Sequence, residues 1–290
     1  MANGPTSSGV LDNSQEVIID STRLIRKNDS VHMRTCDATT LPKNTGLNWD
    51  EVAYAQLTAQ DFTEVDILDN HQQMSDSLFQ VTPAIAAISV LFTVNTLTKL
   101  TKGIAAKGGQ LMQQALEVKK ANAYMTTLDS ATTALPGTGT TLTSGHIDSY
   151  VERIMSNSTE PGKMPINVIA HGFQLKQLND EIRAGVGTYI ITTGLTADAL
   201  QKGIVGMTVS GATLHRDNNV PIDATPDAKG GVHAKDAVVY VQGFQPRTYS
   251  EVAKNRAGAE IQYMYDDYMF GIRQQAWLFE LFTTAPTPTS

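Results

Sequence analysis

The chain has a single cysteine, Cys36, in 290 residues. One thiol cannot close an intrachain disulfide, so packing and hydrogen bonds must hold the fold. Charge is scarce as well: 18% of residues are charged, against about 25% in an ordinary soluble domain. The formal net charge is -7. That balance argues against a protein that grips nucleic acid by its phosphates, which needs clustered Lys and Arg. It does not exclude one that merely surrounds nucleic acid. Long hydrophobic runs are also missing. The longest, from Val81 to Val94, is broken by Pro83 and several polar residues and is too short to span a bilayer. The opening MANGPTSSGV has neither a basic nor an apolar leader region. The expectation is a soluble, intracellular polypeptide with no membrane contact. An apolar fraction of 41% is enough to build a real core. Little charge and much Gly, Thr and Ala suggest a surface that meets protein more than water.

Recognisable reaction chemistry is sparse. His32, His71, His146, His171, His215 and His233 show no HExxH, CxxC or HxH spacing, so neither a metal nor a cofactor is expected. No G-x-S-x-G or Walker A motif occurs. GVGTYIITTG (185–194) is glycine-rich, but it precedes a strand-like run instead of opening a helix. Cys36 sits in RTCDATT, which matches no nucleophile motif and reads as inert. His171, at a strand end, could serve an enzyme, yet a hydrogen-bonded structural role suits it better. The sharpest candidate is Asp266-Asp267 in YMYDDYMFGIRQQAWLFELF. Adjacent carboxylates can hold a metal, but the polymerase version places Tyr where this chain has Met264 and needs a further Asp and a basic cleft. Ile261, Tyr263 and Tyr265 alternate before the pair, and Phe270, Ile272, Trp277, Phe279 and Leu281 follow it. This pattern predicts two long strands with the aspartates at the bend between them.

Along the chain, residues 1–44 are polar and turn-rich, suited to an arm that lies on a partner or stays disordered. Residues 45–80 have no Gly or Pro after Gly46, and no Lys or Arg occurs from Asn44 to Thr98. Val65 and Ile67 alternate with Glu64 and Asp66, as in a strand. A thin acidic excursion cannot bury itself and needs another surface. PAIAAISVLF then reads as a buried strand or short helix. From Gly103 to Leu128 the apolar spacing predicts a helix of roughly 39 Å, with Ile104, Gly108, Leu111, Ala115, Val118, Asn122 and Met125 as its seam and Met112 and Leu116 flanking it. Gly108-Gly109 suggests a bend or a close contact there. Thr143 or Ser144 should cap a helix over HIDSYVERIMSNS, followed by the strand PINVIAHG and the helix FQLKQLNDEIR. IVGMTVSGATLHRDNNVPI predicts two short strands, PDAKGG a loop, and DAVVYVQGF onward an all-β end. The irregular order indicates an α+β fold.

That organisation resembles the major capsid protein of tailed bacteriophages, the Hong Kong 97-type fold. The resemblance rests on FQVTPAIAAISVLFTVN before the long helix, on IVGMTVSGATLHRDNNVP, and on RAGAEIQYMYDDYMFGIRQQAWLFEL with its Phe270-Gly271 pair. It implies an N-terminal arm at 1–44, an E-loop at 45–80, a peripheral domain at 81–137 and 236–290 with the long helix as its spine, and an axial domain at 138–235. It further implies hexamers and pentamers closing into an icosahedral shell around double-stranded DNA, without sequence-specific binding. Portal protein, a separate scaffolding protein and possibly a decoration protein would be partners. The subunit would assemble in the host cytoplasm, reside in the virion capsid and carry no enzyme activity.

The E-loop lysine that some members cross-link covalently has no counterpart in 45–80, so no such cross-link is expected. Charge suggests that the acidic excursion (Glu64, Asp66, Asp69) crosses a neighbour's basic spine (Lys99, Lys102, Lys107, Lys119, Lys120). Replacing Asp266 and Asp267 together by Asn should leave assembly intact, whereas Trp277→Ala should not. Tyr263, Tyr265, Tyr268, Phe270 and Trp277 are expected to pack under and beside the spine helix. The alternatives are an encapsulin compartment sharing the fold, a tail-tube or adaptor protein, and a hydrolase using Cys36 or His171.

Overall fold

The computed structural model describes residues 30–44, 46–59, 61, 71–93, 104–185, 208–254 and 258–289. The predicted long helix is present as α2 (Ile104–Asp129). It packs on a four-stranded sheet of order β1-β10-β11-β4, made by Asp37–Thr40, Val238–Ala253, Ala259–Ile272 and Ala84–Phe92. β11 alternates as a half-buried strand should. Met264, Asp266, Tyr268 and Phe270 are buried, while Tyr263, Tyr265 and Met269 are not. The aspartates are therefore not at a bend: β11 runs straight through them, paired with β10 on one side and β4 on the other. Tyr263 and Tyr265 lie on the face away from α2, stacked on each other at 6.0 Å, so only Tyr268 and Phe270 pack toward the helix as expected.

The seam of α2 is Gly108, Met112, Leu116, Lys120, Tyr124 and Leu128, four residues apart. Of the predicted stripe Gly108 and Met125 are buried, but Leu111 is 49% exposed and the flanking Met112 and Leu116 hold the seam instead. A count of apolar residues cannot see this seam, because a lysine sits in the middle of it. Gly108 does mark a close contact: a Cβ there would lie 2.5 Å from the Phe92 ring of β4.

The second sheet has the order β5-β12-β9-β6-β8-β7, from Ala134–Pro136, Leu278–Thr284, Asp227–Ala234, Ile166–Ala170, Ala212–Arg216 and Thr208–Val209. β6 is buried throughout, which its run INVIA requires of a central strand. α3 (Ser144–Met155) begins at the expected cap, Thr143, whose hydroxyl accepts from the His146 amide. α4 (Gly172–Gly185) follows β6 as expected. Two findings depart from the sequence reading. The DAKGG predicted as loop opens β9, because both glycines sit where a side chain cannot fit. A Cβ on Gly230 would lie 2.2 Å from the Ile169 carbonyl oxygen, and one on Gly231 would lie 2.9 Å from Leu128. The closing strand β12 lies between β5 and β9 rather than beside β11. One apolar core runs from α2 through both sheets.

β2 (Trp49–Tyr54) and β3 (Asp76–Val81) form a separate two-stranded hairpin, the excursion foreseen for 45–80. Its root is not loose. Val81, with Trp49 and Phe79, joins Val239, Val241 and Leu41 in a second, smaller core. Val238 and Tyr240 belong to the main core, so this small core lies on the opposite face of the first sheet. Gly271 permits the approach, since a Cβ there would lie 2.5 Å from Val81.

The end of the polar N-terminal segment is also built in, contrary to the expectation of an arm without a core. A short helix, α1 (His32–Thr35), leads into β1, which runs parallel to β10. His32, Thr35 and Cys36 are buried.

Candidate functional site

Two polar networks cross the seams between these elements. In the first, Lys120 of α2 points into the first sheet and meets Asp266 at 2.6 Å, with side-chain exposures of 7% and 0%. Glu117, one turn earlier, is 3.1 Å from the same ammonium. Burial alone would pull the Lys120 ammonium below its usual range; the bond to Asp266 and the nearby carboxylates outweigh it and hold it above. The other Asp266 oxygen accepts from Gln242 Nε2 at 2.6 Å and from the Asp267 amide at 2.9 Å. Gln242 in turn accepts from the Tyr240 hydroxyl. The Lys120 ammonium also lies 5.6 Å from the centre of the Tyr268 ring. The carboxylate that resembled a metal ligand is therefore neutralised by a lysine of its own chain. Asp267 faces the other way, over Gly243, and burial followed by the Asp266 charge raises its pKa.

The second network seats α1. The Tyr124 hydroxyl is 2.8 Å from both Thr35 Oγ1 and His233 Nε2. His233 Nδ1 lies 2.8 Å from the Ala234 carbonyl, which makes Nδ1 the protonated nitrogen and Nε2 the acceptor. Asn167 Nδ2 donates to the Thr35 carbonyl, and the Val31 amide donates to Asp217. Burial depresses the His233 pKa to about 4. It pushes the Cys36 thiol up to about 12, the reverse of what a nucleophile requires. His171 Nδ1 accepts from the Phe173 amide and its ring meets that of Phe173 edge-on, a helix-entry role.

The outward-facing features are different in kind. The hairpin carries Val52, Tyr54, Leu57, Met74 and Leu78 largely exposed. Apolar residues gathered on a thin projection mark a surface that another protein covers. On α2, Lys119 is exposed and Lys107 half-buried, whereas Lys120 is turned inward and drops out of any contact between subunits. Glu64, Asp66, Asp69, Lys99 and Lys102 lie outside the described residues, as do Val65, Ile67 and residues 186–194 of the glycine-rich stretch. The Trp277 indole donates to the Glu160 carbonyl at 2.8 Å, and its ring packs against the main core. Among the described residues, no helix is long and apolar enough to cross a membrane, and no cluster of three His, Cys, Asp or Glu could hold a metal.

No protein-family model matches the sequence, and no curated protein matches it. Solved structures do match. The capsid protein of cyanophage P-SCSP1u superposes with a TM-score of 0.71 at 12% identity, covering 99% of this chain and 97% of that one. This is the Hong Kong 97-type capsid fold. A capsid chain of Ralstonia phage GP4 gives 0.70 at 11% identity over 93% and 95% of the two chains. The SrpI encapsulin of Synechococcus elongatus gives 0.61 at 11% identity over 96% of each. The capsid fold accounts for the projecting hairpin, the long helix on a sheet and the second sheet as parts of one architecture. Tyr124, His233 and Gln242 belong to its seams and were not foreseen. A signal existed for the first network: Lys120 keeps step with Leu116 and Tyr124, and Asp266 with Met264 and Tyr268, so each is polar at a core-phase position.

Proposed function

We propose that this chain is a major capsid protein that assembles into the hexamers and pentamers of an icosahedral shell enclosing phage double-stranded DNA. The observation that carries the reading is the capsid fold with a hairpin that presents apolar side chains away from its own body. A lone hairpin is marginal in water, so its exposed face is best explained by a neighbouring subunit. In this reading residues 1–44 are the arm, its end seated in the body through α1 and β1, 45–80 the E-loop, 81–137 and 236–290 the peripheral domain and 138–235 the axial domain. A separate scaffolding protein, a portal and a decoration protein complete the particle, which forms in the host cytoplasm. The acidic net charge suits a wall that contains DNA without binding its sequence.

Within the shell, Glu64, Asp66 and Asp69 of one subunit face Lys99, Lys102, Lys107 and Lys119 of the next. Each exposed pair contributes only ~0–1 kcal/mol, but the contact repeats around every capsomer. Electron microscopy of the purified protein tests the assembly: shells, or hexamers and pentamers, are expected, and a strict monomer in all conditions would refute it. Charge reversal at Glu64 and Asp66 should weaken assembly and steepen its salt dependence. An encapsulin shell is the second reading, favoured by the SrpI superposition. Extraction of purified particles separates the two: packaged DNA supports the capsid, a copurifying enzyme the compartment.

A further inference from the structure

Arg273 follows β11 and joins three distant parts of the chain. Its Nε donates to Glu51 of β2 at 2.7 Å, and its Nη2 to Asp37 of β1 at 2.9 Å. Its Nη1 donates to the Asp236 carbonyl at 2.6 Å, and its own amide to the Ala237 carbonyl at 2.8 Å. The Arg273 side chain is only 19% exposed, against 37% for Glu51 and 41% for Asp37. A planar fork addresses three acceptors in fixed directions at once, which a compact ammonium on a flexible stem holds less rigidly. Nearby, the apolar root of the hairpin rests on β10 and β11 through Val81, Phe79 and Trp49. That contact is small and would tolerate sliding. The directional bond from Arg273 Nε to Glu51 is what resists rotation of β2 about its root.

We propose that Arg273 is a positioning residue for assembly: it fixes the angle at which the β2–β3 hairpin leaves the body, and through that angle the curvature at which subunits join. The second half rests on the shell reading above; the first half does not. Glu51 is the arm of the clasp that acts on the hairpin, and Asp37 the arm that acts on β1. Replacing Glu51 should therefore loosen the hairpin, and replacing Asp37 should not.

Spin labels on Ala55→Cys and Asp148→Cys, both exposed positions, report the hairpin-to-body distance in the unassembled full chain. Buried Cys36 stays unlabelled. One narrow distance is expected with native Arg273. Arg273→Ala and Glu51→Gln should each widen the distribution at least about twofold, with Arg273→Lys between them and the native protein, and Asp37→Asn should leave it narrow. In assembly, Arg273→Ala and Glu51→Gln should give shells of mixed diameter. Unchanged widths in Arg273→Ala and Glu51→Gln overturn the clasp, and Glu51→Gln decides the matter if Arg273→Ala does not fold. A widened hairpin with shells of native diameter overturns the link to curvature. If the native chain forms no shells at all, the shell reading fails, and the distance measurement still decides whether Arg273 holds the hairpin.

Discussion

The Lys120 ammonium lies 2.6 Å from Asp266 Oδ2, and the pair joins the middle of the long helix to the middle of the central strand of its sheet. Removing one partner strands a charge in the core. Asp266→Asn should cost ~3–5 kcal/mol of unfolding free energy, seen as a lower denaturant midpoint. Lys120→Met combined with Asp266→Leu should cost much less than either single change, because no unpaired charge remains. Asp267→Asn alone should be mild, since it removes the charge that repels Asp266. The paired substitution of both aspartates, harmless if they shaped a bend, is thus expected to impair folding.

Gly230 tests the identity of β9. Gly230→Ala would drive a methyl to 2.2 Å from the Ile169 carbonyl oxygen, and backbone inside a sheet cannot yield. A loss of about 3 kcal/mol or complete failure to fold is expected, measured by denaturation or soluble yield. At Gly46, where a Cβ meets nothing, Ala adds no clash and is opposed only by the positive φ of 115°, so its effect should be smaller.

The sequence displayed its elements better than its seams. Helix α2, the cap at Thr143 and the order β6 then α4 followed from periodicity and capping, whereas the strand period at 64–67 lies outside the described residues and β2 and β3 sit on either side of it. Lys120, Asp266 and Gly230 were misplaced for a shared reason. Each is unfavourable where it sits until a particular distant neighbour is present, and pattern reading sees only local preference. Arg273 was invisible in the same way: its partners are 222 and 236 positions away in sequence.

Acid should open the seat of α1. His233 is neutral and buried in the fold with a pKa of about 4, against ~6.5 in the unfolded chain. The unfolded chain binds the proton first, so His233's contribution is complete above pH ~6.5 and lost as pH falls toward 4. The shift corresponds to about 3 kcal/mol. His32 and His215 are depressed as well, chiefly by burial, and act in the same direction. Denaturant midpoints should therefore fall steeply between pH 6.5 and 4, and His233→Gln should flatten that slope.

Cys36 should ignore thiol reagents. Its thiol is 1% exposed and held at about 12, so a chromogenic disulfide should react only after denaturant is added. Tyr124→Phe, which removes the hydroxyl shared by Thr35 and His233, should cost ~1–3 kcal/mol and raise hydrogen exchange in residues 32–40.

The position of β12 has a consequence for biosynthesis. Residues 278–284 lie between β5 and β9, so the six-stranded sheet has a gap until that segment has left the ribosome. β1 waits too, because its partner β10 is made some two hundred residues after it. The nascent chain therefore lacks both finished sheets until β11 and β12 have been made. A chain broken off before β12 leaves β5 and β9 without the strand they share, so the order in which the strands are made separates whole folds from partial ones.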